Sequence, residues 1–284
     1  MTQQGRVIIP GCIIHWVARV LQAIRKRITM PIKTGLVALL LITSSWALSA
    51  QWPNLKDKVP RNKDGSPNLT APAPRRADHK PDLTGIWNPE PPKLRDVTKD
   101  LKPGELQMQP GAEAVFNQRK TGALSAQDPD ANCLPQGVPK IDATPAPFKI
   151  LQEPDVIVFL YEAFDQFRQV FLDGRELPKD PNPQWFGYSV AKWDGDTLVI
   201  QSSGFNGKAW LDQVGHPSSE SMHVTERFHR LDFGHMEVTA AIDDPINYKK
   251  PWSFTQPLTL LVDGDLIEQV CNENNRDLPH LPGK

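Results

Sequence analysis

After Pro154, apolar and polar residues alternate in short runs broken by turn-forming pairs, a period of two that predicts β-strands. Residues 156–161 (VIVFLY) form one apolar run, and 167–173 (FRQVFLD) a second that stops at Asp173-Gly174. The strongest signal is 187–205 (GYSVAKWDGDTLVIQSSGF), where arms at 188–193 and 197–201 flank Asp194-Gly195. The arms are rich in Val, Ile, Tyr, Trp and Thr, side chains that suit a pleated, half-buried surface. Asp-Gly suits a type I′ turn, because both central residues take φ > 0. Residues 222–230 and 235–243 predict another hairpin around 231–234. Residues 252–262 and 266–272 predict a last pair around Asp263-Gly264, with Pro257 marking an edge or a bulge. The segment 177–185 holds three prolines and cannot be a central strand.

Upstream the pattern is sparser. Residues 82–87 (DLTGIW) predict a first strand, stopped by Pro89, Pro91 and Pro92. Residues 111–120 (GAEAVFNQRK) predict the one short helix, with Ala112, Val115 and Phe116 on one face. The stretch 51–81 is Pro-rich without periodicity and reads as an extended or disordered tether, and 129–147 as a Pro-rich surface loop. Short, evenly spaced strands indicate an all-β fold, an antiparallel meander that curls into a barrel or a two-layer sheet.

The 222–243 hairpin carries a sharper argument. Its even positions (Met222, Val224, Glu226, Phe228, Met236, Val238, Ala240, Ile242) are apolar except for Glu226, and its odd positions are polar. The two apolar sides coincide only if the connection has an odd number of residues, such as three with Gly234 left-handed. Glu226 then points into the core, where an unpaired carboxylate is costly and its pKa is pushed up. It is either a poised acid/base or ligand anchor, or the partner of a buried cation such as Arg168 or Arg175. The odd face, with His223, His229, His235, Arg227 and Glu237, reads as a solvated polar face and not as a metal site. Asp212, His216 and Ser218 share one loop and the residue types of a hydrolytic triad, although Ser218 lies in no strand-turn-helix context. Trp185 and Trp210 fall in segments expected to overhang one end of the sheet, where aromatic rings beside a few polar groups make an apolar-ligand pocket.

Compartment follows from the leader and the cysteines. Residues 30–50 have a basic start, an apolar run and a small-residue end, the layout of a secretory signal peptide, with Met30 the expected start. The run is too short to predict a stable membrane span once the leader is removed. Residues 1–50 hold Arg6, Arg19, Arg25, Lys26, Arg27, Lys33 and no acid, so the remainder carries 26 basic and 33 acidic residues, a net of −7. An acidic surface argues against nucleic acid or anionic lipid as the main partner. Cys133 and Cys271 are then an even pair in an oxidising compartment, either bonded or two buried thiols, and too few for a metal site. The expected organisation is a leader (1–50), a tether (51–81), one β-domain (82–276) and a tail (277–284).

Two resemblances add to this reading. Asp82-Leu-Thr-Gly85-Ile-Trp87 at the head of the β region resembles the Gly-x-Trp signature of lipocalin-like barrels, which implies a closed antiparallel barrel holding a small apolar molecule. The series Phe171-Leu-Asp-Gly-Arg175, Asp180-Pro-Asn-Pro, Gly187-Tyr-Ser, Trp193-Asp-Gly-Asp-Thr-Leu198, Glu226-Arg-Phe228, Asp232-Phe-Gly-His235 and Ile242-Asp-Asp-Pro245 is similar to a family of secreted bacterial proteins over about residues 82–275. That likeness implies periplasmic or secreted localisation.

The functional expectation is a barrel that binds a small, largely apolar molecule without a cofactor. Trp185, Tyr188, Phe205 and Trp210 would supply contact area, and Glu226 or Arg227 would orient a polar end. A hydrolase or isomerase using Glu226 or His235 as acid/base, supported by Asp212 and His216, is the alternative. An envelope interaction module using a sheet edge is the third reading.

Overall fold

The computed structural model describes residues 59–273 and 275–283. The expected leader and the first part of the tether lie outside them. Nine strands form a closed barrel in sequence order: β1 (Gly85–Pro89), β2 (Phe148–Gln152), β3 (Val156–Tyr161), β4 (Gln166–Phe171), β5 (Tyr188–Asp194), β6 (Thr197–Ser203), β7 (His223–Arg230), β8 (His235–Asp243) and β9 (Trp252–Leu260). One helix, α1 (Pro110–Arg119), sits in the long β1–β2 connection.

An odd number of strands cannot close on antiparallel pairs alone, because strand direction must alternate around the ring. One neighbouring pair has to be parallel, and it is β4–β5, joined only at Phe171↔Val190. A parallel pair needs a long return connection. The Pro-rich stretch 172–187 supplies it, which is why that segment lies between two strands and forms none. All the other pairs are antiparallel, ending with β1 against β9 at Trp87↔Leu260.

Inward positions alternate as the pattern requires. Val224, Glu226 and Phe228 on β7, Met236, Val238 and Ala240 on β8, and Trp252, Phe254 and Leu258 on β9 are all buried. The rings of Phe148, Phe159, Tyr161 and Phe228 meet inside with centroids 5.4–6.1 Å apart. At one end Arg230 lies over the buried Trp87 ring, 4.9 Å from its centroid. Its guanidinium donates to the carbonyls of Asp82, Asp232 and Phe233, and Trp87 Nε1 donates to Leu83 O at 2.9 Å.

Several local expectations are corrected. In the β5–β6 hairpin Asp194 pairs with Thr197, so Gly195 and Asp196 are the central residues. The positive φ (59°) falls on Gly195, the first of them, as in a type II′ turn and not the type I′ expected. The β7–β8 pairing Arg230↔Met236 encloses an odd connection and confirms the inward face. Gly234 is not left-handed there. Asp232 Oδ1 instead accepts from the Gly234 and His235 N–H groups, at 3.0 and 2.8 Å.

Residues 266–272 form no strand, since β1 takes the place beside β9. β2 went unread because its five residues sit between Pro147 and Pro154. Pro257 lies within β9, where its carbonyl accepts from Glu90 N (3.0 Å). The missing N–H therefore faces β1 just past the last ladder pair, Pro89↔Leu258, and costs no bond to β8. Val115 is exposed, although α1 buries Ala112.

Residues 59–81 are extended but tied down. Phe233 N and Gly234 N donate to Ala71 O and Leu69 O, both at 2.7 Å. Arg75 grips Asp196 at 2.5 and 2.9 Å. Cys133 and Cys271 form a disulfide spanning 138 residues, with Cα atoms 5.5 Å apart. A disulfide suggests an oxidising compartment. No described helix is long and apolar enough to cross a membrane.

Candidate functional site

The β4–β5 seam is the weakest join among the described strands, with a single ladder pair. Beyond Phe171↔Val190 the two strands diverge, leaving a cleft of about 530 Å3. Its lining comes from β4 (166–169 and Phe171), from the return connection and β5 (183–189), and from Pro135 and Asn206. Phe167 is 65 % exposed here, whereas Arg168 beside it is 3 % exposed. The strand thus turns its phenylalanine outward to the cleft and its arginine into the barrel. Phe171 stacks on Tyr188 across the seam with centroids 5.3 Å apart, and Arg175 covers Phe171 and donates to Tyr188 Oη at 2.8 Å. Trp185 and Phe186 complete the aromatic wall.

The polar floor is Arg168 and Ser189, part of a network to which four consecutive strands each contribute one inward polar residue. Arg168 of β4 makes a two-pronged contact with Glu226 of β7, at 3.1 and 2.5 Å. It also donates to Ser189 Oγ of β5 (3.1 Å) and Ser202 Oγ of β6 (2.9 Å). The two serines are a direct cross-strand pair, 2.9 Å apart. Burial alone would lower the Arg168 pKa, but the charge of Glu226, with Tyr161 and Asp142 nearby, more than reverses this and raises it. Glu226 is therefore the counter-ion of a permanent guanidinium.

A second carboxyl completes the network. Asp142, from the β1–β2 connection, accepts from Tyr161 Oη at 2.9 Å on Oδ1, while its buried Oδ2 finds no donor. Burial first, then the charge of Glu226 and a hydrogen bond to it, raise the Asp142 pKa well above the ordinary carboxylate value. A protonated Asp142 resolves the orphan, since its hydroxyl then donates toward Glu226. One carboxylate, one carboxylic acid and one guanidinium balance to zero net charge inside the barrel. Burial likewise pushes the Tyr161 hydroxyl pKa well up, keeping it a donor.

The other residues singled out by sequence fall in different places. Trp185 and Tyr188 line the cleft, and Phe205 packs behind Gly187. Arg227 is on the outer surface, paired with Asp194 at 2.7 Å. His235 faces outward at the β7–β8 turn, held by Asp232 at 2.8 Å, so it and Glu226 lie on opposite faces of the hairpin. Asp212 and His216 form a buried pair with Oδ2 and Nδ1 2.6 Å apart. Ser218 donates instead to Ala209 O. Asp212 further accepts from the backbone N–H groups of Val97, Gly215 and His216, so its lone pairs staple the loop. Asp96 is the third residue of this cluster, and it accepts from Thr98. Trp210 is buried in that same loop, away from the cleft lining.

Sequence reasoning did not place Ser189, Ser202, Tyr161 or Asp142. The available signal for the serines was their position in arms whose alternate residues are apolar. Comparison with protein-family models, curated proteins and solved structures finds no match for this chain.

Proposed function

We propose that this protein is a periplasmic or secreted, lipocalin-like barrel that binds a small, largely apolar molecule in the β4–β5 cleft. The observation that carries this reading is the splayed seam, in which an outward-turned Phe167 joins Trp185, Phe186 and Tyr188 above the polar floor of Arg168 and Ser189. Exposing a large aromatic on a strand whose arginine is buried costs burial energy of about 1.5–3 kcal/mol, and a ligand recovers it. The cleft volume is in the range of small-molecule sites. Gly85-Ile86-Trp87 opening β1, with Trp87 under Arg230, supports the lipocalin-like reading, and the disulfide supports the compartment. Glu226 has both oxygens committed to Arg168, so its role in binding is to hold the arginine and serine in place.

The test is titration with 2-naphthol, an apolar ring with one hydroxyl, followed by calorimetry. Binding with 1:1 stoichiometry that falls about tenfold in Trp185→Ala and in Phe167→Ala is the expected result. Binding that ignores both substitutions, or none at all, would sink the proposal.

A further inference from the structure

A second pocket lies away from the seam, where α1 meets the loop 210–217. It measures about 380 Å3 and is lined by Arg95, Arg119, Lys120, Ser125, Asp128, Trp210, Val214 and Leu281, among others. Three cations face it, and among the described residues none of the three has a carboxylate within ion-pair distance.

Arg119 is the built element. Its guanidinium lies over the buried Trp210 ring, 4.4 Å from the centroid. Its one hydrogen bond is a long one, 3.4 Å, to Gly215 O. Gly215 has φ +100°, and a Cβ there would run into the Arg119 stem, so the glycine makes room for the arginine as well as for the turn. The loop is held rigid by Asp212, and α1 is docked on it by Phe116 stacked on His216, centroids 4.3 Å apart. A basic residue in the last turn of a helix commonly serves that helix's own carbonyls. Arg119 does not: its acceptor belongs to another segment, and its stem turns sideways onto Trp210. Burial lowers its pKa, and the charge of Asp128 in the same pocket offsets this only in part.

We infer that this pocket binds a small organic acid with one carboxylate and an apolar body. The flat donor fork of arginine matches a carboxylate in two-pronged fashion. Trp210, Val214 and Leu281 give the hydrocarbon part an apolar wall. Asp128 in the same wall, held by Lys140 at 3.3 Å, repels a second negative charge and disfavours a dianion such as phosphate. Leu281 comes from the C-terminal segment, fastened by Ala126 N donating to Pro282 O at 2.8 Å and, ten residues earlier, by the Cys133–Cys271 disulfide. The site is distinct from the seam cleft and stands or falls separately.

The experiment uses benzoate as probe, with inorganic phosphate as comparison, on the disulfide-bonded protein, read by calorimetry and by the Trp210 indole N–H resonance. Benzoate is expected to bind once, to shift that resonance, and to bind more tightly than phosphate. Arg119→Gln should weaken binding tenfold or more, and Arg119→Lys, which keeps charge but loses the fork, several-fold. Trp185→Ala in the seam should bind benzoate as the unmodified protein does. No binding at millimolar benzoate, equal binding by Arg119→Gln, or tighter binding of phosphate would each overturn the assignment. Unchanged far-ultraviolet dichroism of Arg119→Gln separates lost binding from lost folding.

Discussion

Arg168 and Arg119 are both drawn out of water and both lie over an aromatic ring, yet their surroundings pull in opposite directions. Arg168 meets a carboxylate and two hydroxyls in fixed geometry, and its pKa rises despite burial. Arg119 meets one distant carbonyl, and burial lowers its pKa. A buried charge is tolerated when its partner is built in, and otherwise it stands ready for a partner from outside. The same residue type is thus framework in the barrel and a recognition group at its flank. The difference lies in the neighbours each fold element brings.

The largest effect should come from removing the built-in partners. Asp142→Asn with Glu226→Gln leaves Arg168 buried without an anion and should cost about 3–5 kcal/mol in urea unfolding, at constant m. Glu226→Gln alone should cost clearly less, because Asp142, whose pKa is raised by burial and then by the Glu226 charge, loses the second of these beside Arg168 and can ionise in its place. A single substitution as damaging as the double would show that Asp142 does not share the site.

How far this contrast was readable beforehand differs along the chain. The parity of the 222–243 hairpin alone turned Glu226 inward, and Arg168 was one of two cations offered as its partner. Hydrophobicity along FRQVF suggests the reverse of what occurs, since it favours burying Phe167, and only the apolar partner Val170 shows which face is inner. The parallel seam was hidden because it follows from counting nine strands, and β2 was missed. The pairing of Cys133 with Cys271 was an open alternative, since loop length says nothing of Cα distance. Arg119 left no mark in sequence: it sits on a short helix with little amphipathic pattern, and its isolation depends on which loop packs against it.

The network also gives stability a pH dependence with a defined sign. Asp142 has a higher pKa folded than unfolded, so the native state binds more protons and stability falls as pH rises. Its contribution is complete below the ordinary carboxylate pKa of about 3.9 and is lost as pH climbs through the raised value. Asp142→Asn keeps a donor toward Glu226 and cannot ionise. Its stability relative to the unmodified protein should therefore increase with pH above about 4, by at most about 1.4 kcal/mol per unit. A difference that is flat in pH would mean that Asp142 titrates normally.

The smallest effect tests the other arginine. Arg119→Gln removes a half-buried cation that makes no ion pair, so the lost stacking on Trp210, about 0.5–1 kcal/mol, is offset by relief from desolvation. Stability should change by no more than about 1 kcal/mol, against the several lost when Arg168 is stripped of its acids. Glutamine is the informative replacement because it fills most of the space beside Gly215 and adds no charge. A loss of several kcal/mol in Arg119→Gln would mean that this side chain is structural, like Arg168, and would erase the distinction between the two.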